Sequence, residues 1–199
     1  LDIIAITDHD TIRGGIETLK LNRDRDFSVI IGCEINTEIG DIIGLDLNEE
    51  IKSKLFIEVV EEIKSQGGCV ILPHPFRGHR LQNSMIQHIN AVEIFNSRST
   101  VEQNAKALLF AKEWEKPFTA GSDAHFASEI GLGRIVLTNT DNFNKFAFPQ
   151  CEQDISGNLS PWYLNNLSQM IKSGKQHDLC LLSRQFFGLL CQIAGIIKK

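Results

Sequence analysis

Short, nearly continuous apolar runs alternate with helix-patterned stretches through the first 121 residues. The runs at 1–7, 28–35, 41–47, 69–73, 91–95 and 117–121 are mostly rich in Ile and Val, the pattern of strands buried on both faces. Between them, Phe56, Val59, Val60 and Ile63 follow the i, i+3, i+4, i+7 spacing of a helix face, and Gly67-Gly68 supplies a stop. Thr100 and Gln103 have capping-box spacing ahead of a helix predicted to present Val101, Ala105, Leu108 and Leu109 on one face. Ile12, Ile16 and Leu19 mark a shorter helix after the first run. Such alternation predicts an α/β protein built on a parallel sheet or barrel.

The pattern changes near Asn139. Residues 139–161 collect Asn, Asp, Gln, Ser, Gly and two prolines, the composition of a linker. A helix is predicted over 162–173. The division is therefore a barrel-type domain at 1–138, a linker at 139–161 and a helical C-terminal appendage at 162–199. Residues 179–197 are almost wholly apolar, interrupted by Arg184, Gln185 and Gln192. Docking on the domain is the first reading of that segment, and contact with a membrane surface the second. A formal charge of −5 argues against a strong nucleic-acid surface. Five cysteines without CxxC spacing fit reduced thiols in a cytoplasmic protein.

Groups able to bind metal stand where the predicted strands end, the place α/β barrels use for their sites. The first run leads into Thr7-Asp8-His9-Asp10-Thr11, the second carries Glu34, the fourth leads into Pro73-His74-Pro75, and the sixth into Gly121-Ser122-Asp123-Ala124-His125. In extended backbone Asp123 and His125 share a face, while Cys33 points away from the face of Glu34. His9 is the expected ligand at its position, with Asp8 the partner that orients an imidazole. Imidazole nitrogens and carboxylate oxygens without thiolate suit Zn, Mn or Fe. Taken singly, each motif is equally a set of caps and turns: Asp8, Asp10 and Thr11 could cap the next helix.

In order and spacing these segments resemble motifs of the PHP (polymerase and histidinol phosphatase) superfamily, over residues 1–138. Ser/Thr-Glu-Ile-Gly-Asp-Ile-Ile-Gly texture, Pro-His-Pro-Phe-Arg, Val-Glu-Ile-Phe-Asn-Ser-Arg and the tail are similar to a bacterial PHP branch with a PHP-associated C-terminal segment. The resemblance implies a distorted (β/α)7 barrel holding two or three divalent metal ions. It implies that Glu34 bridges two ions, that Asp123 and His74 each ligate one of them, and that His9 and His125 serve a third. Asp123, His125 and Glu34 become the catalytic set. Asp41 stands where several PHP phosphatases have a ligand His, and is a candidate ligand. PHP proteins begin with a His-x-His strand, and this chain opens at Leu1 inside an apolar run, as if after that strand.

The implied activity is hydrolysis of a phosphomonoester or phosphodiester, a small phosphate ester or nucleotide, by metal-activated hydroxide. Arg77, Arg98 and His79 are the expected contacts for the phosphorylated substrate. The alternative is a PHP-like structural or regulatory module with weakened catalysis. A metal-dependent amide or lactone hydrolase on a similar barrel is a third reading, and it lacks an obvious barrel lysine.

Overall fold

A computed structural model describes residues 1–137, 153–175 and 186. The elements run β1 (Ile3–Ile6), α1 (Arg13–Leu21), β2 (Ser28–Thr37), β3 (Gly40–Leu45), α2 (Phe56–Ser65), β4 (Cys69–Leu72), α3 (Asn83–Ile86), β5 (Ala91–Asn96), α4 (Val101–Glu113) and β6 (Phe118–Gly121). A 3₁₀ turn (Ala127–Glu129), β7 (Gly133–Leu137), β8 (Gln153–Gly157) and α5 (Trp162–Lys175) follow. All six predicted strands form, and they lie side by side in chain order in one six-stranded sheet.

The sheet is mixed. β1 with β2, β4 with β5, and β5 with β6 are parallel, whereas β3 is antiparallel to both neighbours. Where a distorted (β/α)7 barrel without its first strand is expected, the structure shows a six-stranded mixed sheet curled into a half-barrel. The reason is local: β2 and β3 are joined by a two-residue turn, too short for a helix and long enough only for a hairpin. The Thr37 hydroxyl donates to the Gly40 carbonyl (2.6 Å) to close that turn. Gly40 has φ +121°, and a side chain there would collide with the ring of His79.

The convex face carries the core. Phe56, Val59, Val60 and Ile63 of α2 are buried as their spacing predicts, packed with Ile35, Ile42, Val70, Leu72 and Val92. Burying each such side chain fully is worth about 1.5–3 kcal/mol. The capping box of α4 also forms, with Thr100 Oγ1 accepting from Gln103 N (3.2 Å) and Gln103 Oε1 accepting from Thr100 N (2.8 Å). Of the face predicted for α4 only Leu108 packs against the core. Val101 and Leu109 are exposed, and Ala107 and Ala111 are buried instead.

Two further elements lie beyond the predicted strands. β7 pairs antiparallel with β8, so residues 153–157 of the segment read as a linker are a strand. α5 covers the predicted helix. No helix among the described residues is long and apolar enough to cross a membrane. The 179–197 segment lies, but for Phe186, outside the described residues.

Candidate metal centre

The concave side of the sheet encloses a cavity of about 1200 Å³. Ile43, Leu45, Ile71 and Ile135 line its apolar part, and Asp8, His9, Glu34, His74, Glu93, Asn96, Asp123 and His125 its polar part. Five of the residues expected as ligands from strand ends, His9, Glu34, His74, Asp123 and His125, thus face one space.

Two groups can be distinguished within it. In the first, Glu34, Asp41 and His74 each offer a ligand atom, all within 4.8 Å of one another. Glu34 Oε1 is 3.1 Å from His74 Nε2, and Asp41 Oδ2 is 4.0 Å from the same nitrogen. Asp41 reaches the site because the hairpin sets it opposite Asn36, whose amide donates to Asp41 Oδ1 (2.8 Å). The second oxygen of Glu34 is 3.9 Å from His9 Nε2. An isolated bridge between His9 and Glu34, with Glu34 N donating to Asp8 O (3.1 Å), holds that pair together. In the second group, Asp123 Oδ1 lies 3.6 Å from His125 Nδ1 and Asp123 Oδ2 lies 2.5 Å from Arg77 Nη2.

The backbone is unusual at these corners. Asp10, His74 and Asp123 have φ of +59°, +28° and +49°, in the left-handed region non-glycine residues seldom occupy. His74 is held there by its own amide, which donates to Glu93 Oε2 (2.8 Å). Glu93 also accepts from Asn96 Nδ2 (3.0 Å), and Asn96 reaches on to Asp123 Oδ2 (3.4 Å). Gly121 has to be glycine because the Glu93 carboxylate fills the place of its side chain.

Electrostatics follow from these contacts. Burial acts most strongly on His74 and lowers its pKa, but the hydrogen bond to Glu34 and the nearby carboxylates outweigh it, so the net shift is upward. For Asp123 burial is again the strongest influence, and it raises the pKa. The charge and hydrogen bond of Arg77, with His74 and His125, reverse it and hold the carboxyl below 3.8. Burial raises Glu93, and it pushes the Cys33 thiol up to about 12. Cys33 sits in the core on the far face from Glu34, as strand alternation predicts.

Other predicted residues stand around these two groups or turn away from them. The Asp8 carboxylate rests against Gly14 in the first turn of α1, and the end of that helix is held by Glu50, which accepts from Thr11 Oγ1 and Ile12 N (2.9 Å each). His79 donates from Nε2 to the Asp41 carbonyl (2.8 Å), and its ring is 5.5 Å from that of His74. It supports Asp41 from behind. Arg98, expected at the substrate, is a correction: its side chain is 5% exposed and turned toward α5 and Glu129.

Glu93, Asn96 and Glu129 were missed as site residues. A carboxylate inside the apolar run Ala-Val-Glu-Ile-Phe was a readable signal for Glu93. Nothing local marks Glu129.

The donor set of this first group, two carboxylates and one imidazole with no thiolate, fits a hard or borderline divalent cation.

A family model described as PHP-associated matches residues 101–149. Two proteins of Methanocaldococcus jannaschii are similar to this chain. MJ1587 is 45% identical over 104 residues, 49% of this chain and 59% of that protein. MJ0417 is 36% identical over 77 residues, 33% of this chain and 32% of that protein. The chain thus spans about a third to three fifths of these relatives' lengths. The fold is similar to that of a two-domain protein from Bacteroides vulgatus containing a predicted PHP-like metal-dependent phosphoesterase. That likeness has a TM-score of 0.58 at 15% identity and covers 79% of this chain and 56% of the other. The strand-end motifs thus stand on a fold shared with a PHP-like protein, and the PHP-associated match takes in the last of them, Gly121–His125.

Proposed function

We propose that this chain carries the site of a metal-dependent phosphoesterase acting on a small phosphate ester or nucleotide. The observation that carries the reading is the convergence of Glu34, Asp41 and His74, with His9, Asp123 and His125 on the same cavity. Divalent ions bound there supply Lewis acidity toward phosphate oxygens and a water of lowered pKa. Glu34, whose two oxygens face His74 and His9, suits a bridging role between two ions. Asp123 and His125 suit the second position. Arg77, its side chain 36% exposed, bonds the cavity residue Asp123 and suits a guanidinium fork beside a phosphate held by the ions.

Arg77 closed on Asp123 also favours the second reading, a regulatory module in which an arginine occupies the carboxylate a metal would need. One experiment separates the two. Metal content is measured by elemental analysis, with turnover of an aryl phosphate and an aryl phosphodiester in manganese buffer. Two or three ions per chain and turnover lost in Asp123→Ala support the phosphoesterase. No bound metal and no turnover support the module.

A further inference from the structure

We infer that α5 is a positioning element for the Asp123–His125 loop, acting through Arg98 and Glu129. Glu129 is fully buried, and its carboxylate is the hub. Oε2 accepts from the amides of His125 (2.9 Å) and Phe126 (3.1 Å) and from Arg98 Nη1 (3.3 Å), while Oε1 accepts from the Ser160 hydroxyl. Arg98 spends its other donors on α5: Nε on Asn165 Oδ1 (2.6 Å), and Nη2 on Ser168 Oγ (2.5 Å) and the Leu164 carbonyl (3.3 Å).

A planar guanidinium offers donors in fixed directions, so satisfying three acceptors on α5 fixes the direction of the one aimed at Glu129. Glu129 in turn fixes two consecutive amides of the loop that bears His125. The loop's other end is pinned separately, by Ser122 Oγ accepting from Gly131 N (2.9 Å). Without α5, Arg98 is free to turn toward water, and a buried carboxylate loses its counter-charge. The loop amides then compete for an acceptor that is no longer held. The hold on the loop stands on these contacts alone; its consequence for metal binding rests on the function proposed above.

The test uses the full chain carrying Asn165→Ala and Ser168→Ala together, which leaves Arg98 and Glu129 in place. Amide hydrogen exchange is followed by NMR at His125 and Phe126, with the core strand Cys69–Leu72 as reference. Exchange about tenfold faster at the two loop amides and unchanged in the reference supports the inference. Unchanged loop exchange, or equal acceleration in the reference strand, overturns it. In manganese titrations the ion at Asp123 and His125 weakens about tenfold while that at Glu34, Asp41 and His74 is unaffected. Equal weakening of both overturns the specific coupling. A wild-type chain that binds no manganese counts against the proposed function, and the exchange result still decides the role of α5.

Discussion

Asp123 shows how one carboxylate can be claimed by two kinds of positive charge. Its Oδ2 meets Arg77 at 2.5 Å, and its Oδ1 faces His125 at 3.6 Å. Because Arg77 holds the folded-state pKa below that of an unfolded Asp, the pair stabilises the protein fully above pH 3.8. That stability is lost as pH falls through the lowered value. Arg77→Met therefore destabilises the protein at neutral pH and leaves it equal to wild type in strong acid. The side chain of Arg77 is 36% exposed, and solvent screening limits the effect to about 1 kcal/mol. Thermal denaturation against pH checks this, and identical curves would refute it. The same substitution frees Asp123, so manganese binds several-fold tighter. At this scale the sequence was informative about placement, since His9, His74 and Asp123, picked out at strand ends, line one cavity. It was silent on Glu129, because a carboxylate that accepts from backbone amides leaves no spacing signature. It misled at Arg98, whose place after a strand end is shared by substrate contacts and by braces.

The elements divide in the same way. Continuous apolar runs located the six sheet strands and the period-3.6 pattern located α2, because burial there is done by large aliphatic side chains. On α4 the same logic placed only Leu108 of its four residues against the core. Asn104 explains this: its Oδ1 accepts from Asn96 N and its Nδ2 donates to Asn96 O, both at 3.1 Å. Those two bonds set the rotation of the helix, which puts Ala107 and Ala111 against the sheet and leaves Leu109 66% exposed. Close approach needs small residues, and a search for large apolar ones cannot see it. It follows that Ala107→Leu overpacks the interface and costs about 1–3 kcal/mol. Leu109→Ala stays within about 0.5 kcal/mol of wild type. Urea denaturation of the two variants tests the assignment, and a reversed order would restore the face predicted from periodicity. β8 escaped for a different reason. Its partner β7 is short, and Gln153–Gly157 has too few apolar residues to stand out from its polar surroundings.

In the whole molecule the curl of the sheet brings its strand ends together, so that titratable groups able to hold a cation meet at one place. In the absence of metal, His74 with its raised pKa is stabilised as the imidazolium beside Glu34. That contribution is fully present below pH 6.5 and is lost as pH rises through the folded-state value. A divalent cation at Glu34, Asp41 and His74 requires the neutral ring, so its binding strengthens over the same interval. The two effects oppose each other. Stability without metal should fall as pH rises past 6.5, and the stabilisation added by metal should grow. At a hundredfold excess over the dissociation constant the gain is about 2.7 kcal/mol, or about 5–10 °C for a chain of this size. Glu34→Gln removes both effects together, since it takes away the partner of the imidazolium and a ligand of the ion. Thermal melts with manganese and with a chelator at pH 6 and pH 8 measure all four corners. A manganese shift equal at the two pH values would mean that the ion does not displace a proton from His74, and the ligand set would have to exclude that residue.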